Sequence, residues 1–135
     1  MASGPPSFRQ LLGETRFVAE WWAGRRYYSR CESRGEGDAQ TVLVIPGFLA
    51  SDWMTGPLRR ALAAAGHDVH GWGLGRNYGL RGGVYEGVRE RVTELARRSG
   101  RPIVVIGWCL GGLYARANAK LMPEAVARVI TLGSP

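Results

Sequence analysis

The sequence predicts an α/β fold in which a parallel sheet carries helices on its faces. Short apolar runs alternate with segments of helical periodicity along most of the chain. The run Thr41–Ile45 is apolar or β-branched at every position, which is typical of a strand covered on both faces. The connections between such runs are long enough for crossovers, so right-handed βαβ units are the expected result.

The N-terminal part is predicted to be helical. Apolar residues recur at roughly helical spacing over residues 7–23, and Pro5-Pro6 precede them as a start signal. A polar, glycine-containing connection over residues 31–40 then leads to the first strand. The length suits one core, so we expect one α/β domain over residues 1–135, with residues 1–34 as an N-terminal helical segment.

Glycine and proline mark the ends of the elements that follow. Pro57 and Gly66 bracket a short helix, Gly100 ends an amphipathic one, and Pro123 ends the last. The weakest strand signal lies in His67–Leu74. In chain order, the prediction is a strand near residues 41–45, a helix near 57–65, a strand near 68–73, a helix near 84–98, a strand near 102–107, a helix near 110–121 and a strand near 127–132.

Three loops follow the predicted strands at their carboxyl ends, namely Pro46–Asp52, Gly73–Gly83 and Gly107–Gly112. Open parallel sheets bind their ligands beyond this edge. We therefore expect these loops to build the functional site.

The net charge of +7 is carried almost wholly by arginines, which are spread from Arg9 to Arg128. No basic stripe with interleaved aromatic residues occurs, so a solvated surface is favoured over nucleic-acid binding. The two cysteines, Cys31 and Cys109, are too few for a disulfide scaffold and do not form a metal-binding pair. We expect no nucleic acid, no metal and no cofactor.

The N-terminus lacks the uninterrupted apolar core of a signal peptide. No segment approaches the roughly 18 consecutive apolar residues that span a bilayer. We expect a cytoplasmic protein without a transmembrane segment.

The stretch GWCLGG, residues 107–112, places Cys109 between glycines where a strand turns into a helix. A nucleophile there projects from a sharp turn, and the small residues Gly107 and Gly111 let strand and helix approach closely. The backbone N–H of Leu110 then faces the reacting carbonyl, and the helix N-terminus adds positive potential. The alternative interpretation is a tight strand-to-helix turn that contains a small buried cysteine.

Three motifs occur in order over Thr41–Pro135: TVLVIPGFLAS, VVIGWCLGGLYAR and VARVITLGSP. Together they resemble the N-terminal half of an α/β-hydrolase of the esterase/lipase type. The resemblance implies that Cys109 holds the nucleophile position and that the amides of Phe48 and Leu110 form the oxyanion hole. It also implies acyl transfer on a small-molecule or lipid-like ester, thioester or lactone.

The chain departs from that family at the nucleophile and after it. Most such esterases have serine where Cys109 stands, and cysteine there resembles dienelactone hydrolases and polyhydroxyalkanoate synthases. The family's acid and histidine follow the nucleophile, whereas here Glu124 is the sole acid after Cys109 and no histidine follows. We expect His67 and His70, which precede Cys109 in the sequence, to be surface or packed side chains. The hydrolase is therefore expected to be incomplete as given, truncated after the strand that follows the nucleophile helix, and inactive alone.

Two alternatives stay open for the function. One is a fragment of an acyltransferase or polyester synthase with a cysteine elbow, and the other is a truncated non-catalytic relative or binding protein. A Rossmann-type nucleotide binder is disfavoured because no G-x-G-x-x-G motif opens a helix.

The last predicted strand, Ala127–Leu132, is apolar. Left as an edge of the sheet, it offers unpaired N–H and C=O groups to another molecule. We expect self-association through this strand.

Overall fold

A four-stranded sheet forms the centre of the computed structural model, which describes residues 39–135. The helix predicted over residues 7–23 and the segment 1–34 lie outside the described residues. The strands are β1 (Thr41–Ile45), β2 (Asp68–Gly71), β3 (Ile103–Trp108) and β4 (Val126–Leu132). Their order is β2-β1-β3-β4, and all three neighbouring pairs are parallel.

Three helices connect these strands: α1 (Gly56–Ala64), α2 (Val84–Ser99) and α3 (Leu110–Leu121). Each connection between consecutive strands passes through one helix, as the predicted βαβ units require. None of the three is long and apolar enough to cross a membrane.

Helices on both faces of the sheet bury β1 along its whole length. Val42 and Val44 point to one face, where Leu58 of α1 packs against them. The alternate residues, Leu43 and Ile45, belong to the core of the other face because successive side chains of a strand point to opposite sides. The α2 and α3 members of that core are Val88, Val92, Leu95, Tyr114 and Ala115.

The predicted fold class and order of elements are confirmed, with one strand shorter than expected. The predicted ends of the three described helices fall within one residue of the observed ones. The second strand, predicted over 68–73, ends at Gly71. It ends there because the Asp52 carboxylate accepts the backbone N–H groups of Trp72 and Gly73, both at 3.0 Å, which takes these groups out of strand pairing.

β4 forms an edge of the described sheet. It pairs with β3 on one side, and within residues 39–135 no strand pairs with its other side. Ile130 and Leu132 of this strand are 38% and 40% exposed. The edge therefore combines free backbone groups with exposed apolar side chains.

We predict that the purified chain self-associates through β4, because an apolar edge strand can pair with an edge of a second molecule. Ile130→Lys should shift the population toward monomer, since a lysine on an edge strand opposes such pairing. Size-exclusion chromatography with light scattering measures the mass.

Leu121→Lys is the control for added charge, because it alters an exposed apolar residue at the end of α3. It should leave the mass distribution unchanged. A wild-type chain that stays monomeric at high concentration would contradict the prediction.

Candidate active site

The three loops expected to build a site meet at the carboxyl edge of the sheet. Gly47 lies against the third loop, since a Cβ built on it would stand 3.1 Å from the Cβ of Cys109. The Phe48 ring lies over the second loop, where a Cβ on Gly79 would stand 3.5 Å from its Cε2 atom. Pro46 is held by the second loop as well, because Asn77 Nδ2 donates a hydrogen bond to its carbonyl at 2.9 Å.

Cys109 occupies the turn between β3 and α3 and is exposed. Its φ of 51° and ψ of −118° lie in a region that residues other than glycine rarely adopt. Such a conformation costs roughly 1–3 kcal/mol and persists only where the surroundings determine it. Its N–H donates to the carbonyl of Leu132 at 2.8 Å, and its own carbonyl accepts from the N–H of Gly112 at 3.0 Å. The turn is therefore fixed on both sides of the cysteine.

Glycine is required at the two positions that flank this turn. A Cβ on Gly107 would overlap the carbonyl group of Gly111 and the nitrogen of Gly112. A Cβ on Gly111 would overlap the carbonyl oxygen of Ile45 and stand 2.9 Å from that of Pro46. At these two glycines strand and helix thus touch through backbone atoms, and this contact sets the sharpness of the turn.

Two backbone donors near the turn have no partner among the described residues. Within residues 39–135 no hydrogen bond engages the N–H groups of Phe48 and Leu110. Leu110 is the first residue of α3, whose N-terminus contributes positive potential. Free amides with such a dipole suit the stabilisation of a developing oxyanion. Their convergence near the Cys109 sulfur stays a prediction.

Asp52 closes the first loop against the end of β2. Its carboxylate accepts two backbone N–H groups, as described above, and lies so close to Gly71 that a Cβ there would stand 2.5 Å from the carboxyl carbon. Its carbonyl accepts a hydrogen bond from Arg59 Nη2 at 2.6 Å. The sequence indicated only the end of a loop here, because an aspartate after a turn carries no sign of a distant partner.

Asn77 is the other site residue that the sequence analysis missed. It is completely buried in the second loop, and its main chain and side chain both bond to neighbouring backbone. Asparagine is common in glycine-rich turns, so its type alone gives no signal of this role. Its complete burial distinguishes Asn77 from an ordinary turn asparagine, and burial can be read only from the structure.

His67 precedes β2 at the amino end of the sheet, whereas His70 lies within β2, level with the middle of β1. His67 Nδ1 accepts the N–H of Gln40 at 3.2 Å. His70 is paired in register with Leu43, which also pairs with Val105, four residues before Cys109. At about 3.3 Å per residue, Cys109 therefore lies about 13 Å further along the strands than His70.

His70 has a partner of its own. Its Nε2 lies 2.9 Å from Oδ1 of Asp68, and this contact lowers the pKa of the Asp68 carboxyl below its usual value. The two residues line a cavity of about 290 Å³ with Thr41, Arg98 and Arg101, at the amino end of the sheet. The placement agrees with the expectation that neither histidine is a general base for Cys109.

Glu124 is the sole acidic residue after Cys109 in the sequence. Glu124 lies in the connection from α3 to β4, at the far end of the sheet as expected. Among residues 39–135, no group of three or more histidine, cysteine, aspartate or glutamate side chains could hold a metal ion.

The loops of this edge are rich in exposed apolar side chains. Trp53 is 82% exposed and Phe48 56%. Isolated exposed apolar residues are ordinary, but several on adjoining loops mark a binding surface. We call this surface the apolar rim, and its members are Phe48, Leu49, Trp53, Tyr78, Leu80 and Trp108.

We predict that Gly107→Ala destabilises the fold by about 3 kcal/mol or more, because its Cβ meets backbone that cannot move without separating β3 from α3. Gly82→Ala is the matched control, since a Cβ there meets nothing within 4 Å. It should change the free energy of unfolding by well under 1 kcal/mol. Urea unfolding followed by circular dichroism measures both. Equal effects of the two substitutions would show that the turn is not tightly packed.

No protein-family model matches the sequence. The pimeloyl-[acyl-carrier protein] methyl ester esterase of Sodalis glossinidius is 33% identical over 106 residues, which are 76% of this chain and 39% of that protein. The esterase of the same name from Klebsiella pneumoniae is 32% identical over 117 residues, 84% of this chain and 40% of that protein. The chain thus spans about two-fifths of the length of these curated relatives.

Solved structures share the fold at lower identity. A probable hydrolytic enzyme from Pseudomonas aeruginosa superposes with a TM-score of 0.57 at 21% identity, over 77% of this chain and 34% of the other. A monoacylglycerol lipase from Paleococcus ferrophilus superposes with a TM-score of 0.56 at 20% identity, over 76% of this chain and 40% of the lipase. The parallel sheet, its crossovers and these relatives agree, and the chain belongs to the α/β-hydrolase superfamily.

Proposed function

We propose that the chain is the nucleophile-bearing part of an acyl hydrolase that cleaves esters, thioesters or lactones through Cys109. The observation that carries the proposal is the backbone of Cys109 itself. A non-glycine residue with positive φ, exposed between a buried strand and a helix, has the geometry of a nucleophile elbow. A packing role gives no reason for an exposed thiol at a strained turn.

The proposed reaction begins with attack of the Cys109 thiolate sulfur on the carbonyl carbon of the substrate. The carbonyl oxygen takes up the negative charge and accepts hydrogen bonds from the N–H groups of Phe48 and Leu110. Collapse of the tetrahedral intermediate breaks the ester C–O bond, and the leaving alkoxide takes a proton from water. The acyl group is then held as a thioester on Cys109, which water must hydrolyse to release the acid.

Within residues 39–135, no histidine lies beside Cys109 to act as the base for the second half of this reaction. No histidine follows Cys109 in the sequence, and His70 lies about 13 Å back from it along the strands. General-base assistance is worth roughly a hundredfold to ten-thousandfold. Acylation by an activated ester therefore proceeds, whereas hydrolysis of the thioester is slow.

The apolar rim favours a substrate with an apolar acyl or alkyl group. Trp108 precedes the cysteine, Phe48 follows Gly47, which lies against the cysteine, and most of the other rim residues lie in the first two loops. The relatives from Sodalis and Klebsiella are esterases by name, which supports an ester as the substrate. An acyl chain of several carbons would gain about 0.8 kcal/mol for each CH₂ group buried on this rim.

A second candidate function is binding of an acyl compound without turnover. The distance between His70 and Cys109 favours this second function. A thiol without a nearby base can hold an acyl group but releases it slowly. The two functions differ in a single measurable step, the hydrolysis of the thioester.

We predict a burst of p-nitrophenol of about one equivalent from p-nitrophenyl acetate, followed by turnover at least a hundredfold slower. Cys109→Ala should abolish the burst. His70→Ala, a control within β2 and about 13 Å from Cys109 along the strands, should leave the burst unchanged. Stopped-flow absorbance measures the burst, and intact-protein mass spectrometry measures the acetyl adduct.

Absence of a burst in the wild-type chain would contradict the proposed nucleophile. Sustained turnover that His70→Ala removes would instead show that this histidine reaches the thiol. Sustained turnover that survives His70→Ala would show that another group supplies the base.

A further inference from the structure

We propose that Asn77 is a positioning residue, which aims the Phe48 N–H at the site where the oxyanion forms. This inference rests on the proposed function, because it assigns Asn77 a part in the acylation of Cys109. Asn77 touches neither the thiol nor the expected substrate. It would act through the first loop, residues 46–52, which carries Phe48.

Every polar group of Asn77 is bonded to backbone. Its N–H donates to the carbonyl of Ala50 at 2.8 Å, and its carbonyl accepts from the N–H of Leu49 at 2.6 Å. Its side-chain Nδ2 donates to the carbonyl of Pro46 at 2.9 Å, and Oδ1 accepts from the N–H of Gly79 at 3.0 Å. Three of the four bonds hold the first loop, and they hold it on both sides of Phe48.

These bonds restrict the direction of the Phe48 amide. The Gly47 carbonyl belongs to the same planar, trans peptide unit as the Phe48 N–H, so the two groups point in opposite directions. That carbonyl accepts from the N–H of Ala50 at 3.1 Å, and Ala50 is itself bonded to Asn77. The Phe48 N–H therefore points away from the turn that Asn77 closes.

The backbone conformation of Leu49 also indicates that the first loop depends on Asn77. Its φ of 59° lies in the left-handed region, which costs a leucine roughly 1 kcal/mol or more. The loop keeps this conformation because the Leu49 N–H is bonded to the buried Asn77 carbonyl. Removal of the Asn77 side chain would leave the two main-chain bonds to Leu49 and Ala50 in place, but the buried Pro46 carbonyl would lose its donor, and leaving such a group unpaired is unfavourable. The loop would then relax, and the amide would turn away.

The test compares two reactions of the same thiol, in a Cys31→Ser background where Cys109 is the only cysteine. Acylation by p-nitrophenyl acetate passes through an oxyanion, whereas alkylation by iodoacetamide displaces iodide without forming one. The ratio of the two rate constants thus isolates oxyanion stabilisation from thiol exposure and ionisation. Asn77→Ala should lower this ratio about tenfold to a hundredfold, less than or equal to the effect of deleting one oxyanion donor.

Asn118→Ala is the matched control. Asn118 is also an asparagine with almost no exposure, and its Nδ2 donates to the Tyr114 carbonyl within α3, away from the first loop. Its replacement removes a buried hydrogen bond without touching Phe48. It should lower the free energy of unfolding and leave the ratio unchanged.

Asn77→Asp supplies a readout that loss of stability alone would not produce. When protonated, the aspartic acid can still donate to the Pro46 carbonyl. When ionised, it places a carboxylate against that oxygen. The ratio should therefore fall as pH rises through the titration of this group, while the wild-type ratio stays flat.

The outcomes separate the two claims. If the parent chain alkylates but does not acylate, the proposed function fails. If the parent acylates and Asn77→Ala keeps its ratio, the positioning role is overturned. Should Asn77→Ala fail to fold, the ratio of Asn77→Asp decides, and a ratio that does not vary with pH overturns the role.

Discussion

The structure depends on one backbone contact, in which the end of β3 touches the first turn of α3, and that turn also touches the end of β1. Gly107 and Gly111 have no side chain, and nothing larger fits at either position. Because the helix begins so close to the strand, the chain must reverse within one residue. That residue is Cys109, and its positive φ is the consequence. The exposure of the thiol follows from the same contact, since the turn places Cys109 beyond the end of the strand.

The remainder of the site is arranged around this fixed point by polar groups that bind backbone. Asp52 ends β2, and Asn77 joins the first two loops. Neither side chain presents chemistry to a substrate. Within residues 39–135, the Phe48 and Leu110 amides have no hydrogen-bond partner, whereas most backbone groups of folded proteins are bonded. Free donors at the edge of a well-bonded scaffold are what an oxyanion site requires.

The sequence was most informative where a local pattern has a single physical solution. A continuous β-branched run such as Thr41–Ile45 is stable only between two layers, so the buried strand could be predicted. The glycines around Cys109 likewise have meaning only for a close strand-to-helix turn. The roles of Asp52 and Asn77 could not be read in this way, because each depends on partners about 20 to 30 residues away. The premature end of β2 was missed for the same reason.

The central claim is that the fold makes Cys109 an acyl acceptor. The ordinary reactivity of a cysteine thiol would not by itself favour Cys109 over another cysteine. The chain contains its own internal reference in Cys31, the only other thiol. The most direct measurement treats the folded chain and the urea-unfolded chain with one equivalent of p-nitrophenyl acetate and maps the adduct by peptide mass spectrometry. We predict that the folded chain carries the acetyl group on Cys109 and that the unfolded chain loses this preference. Equal labelling of the two cysteines in the folded chain, or a preference for Cys31, would contradict the claim.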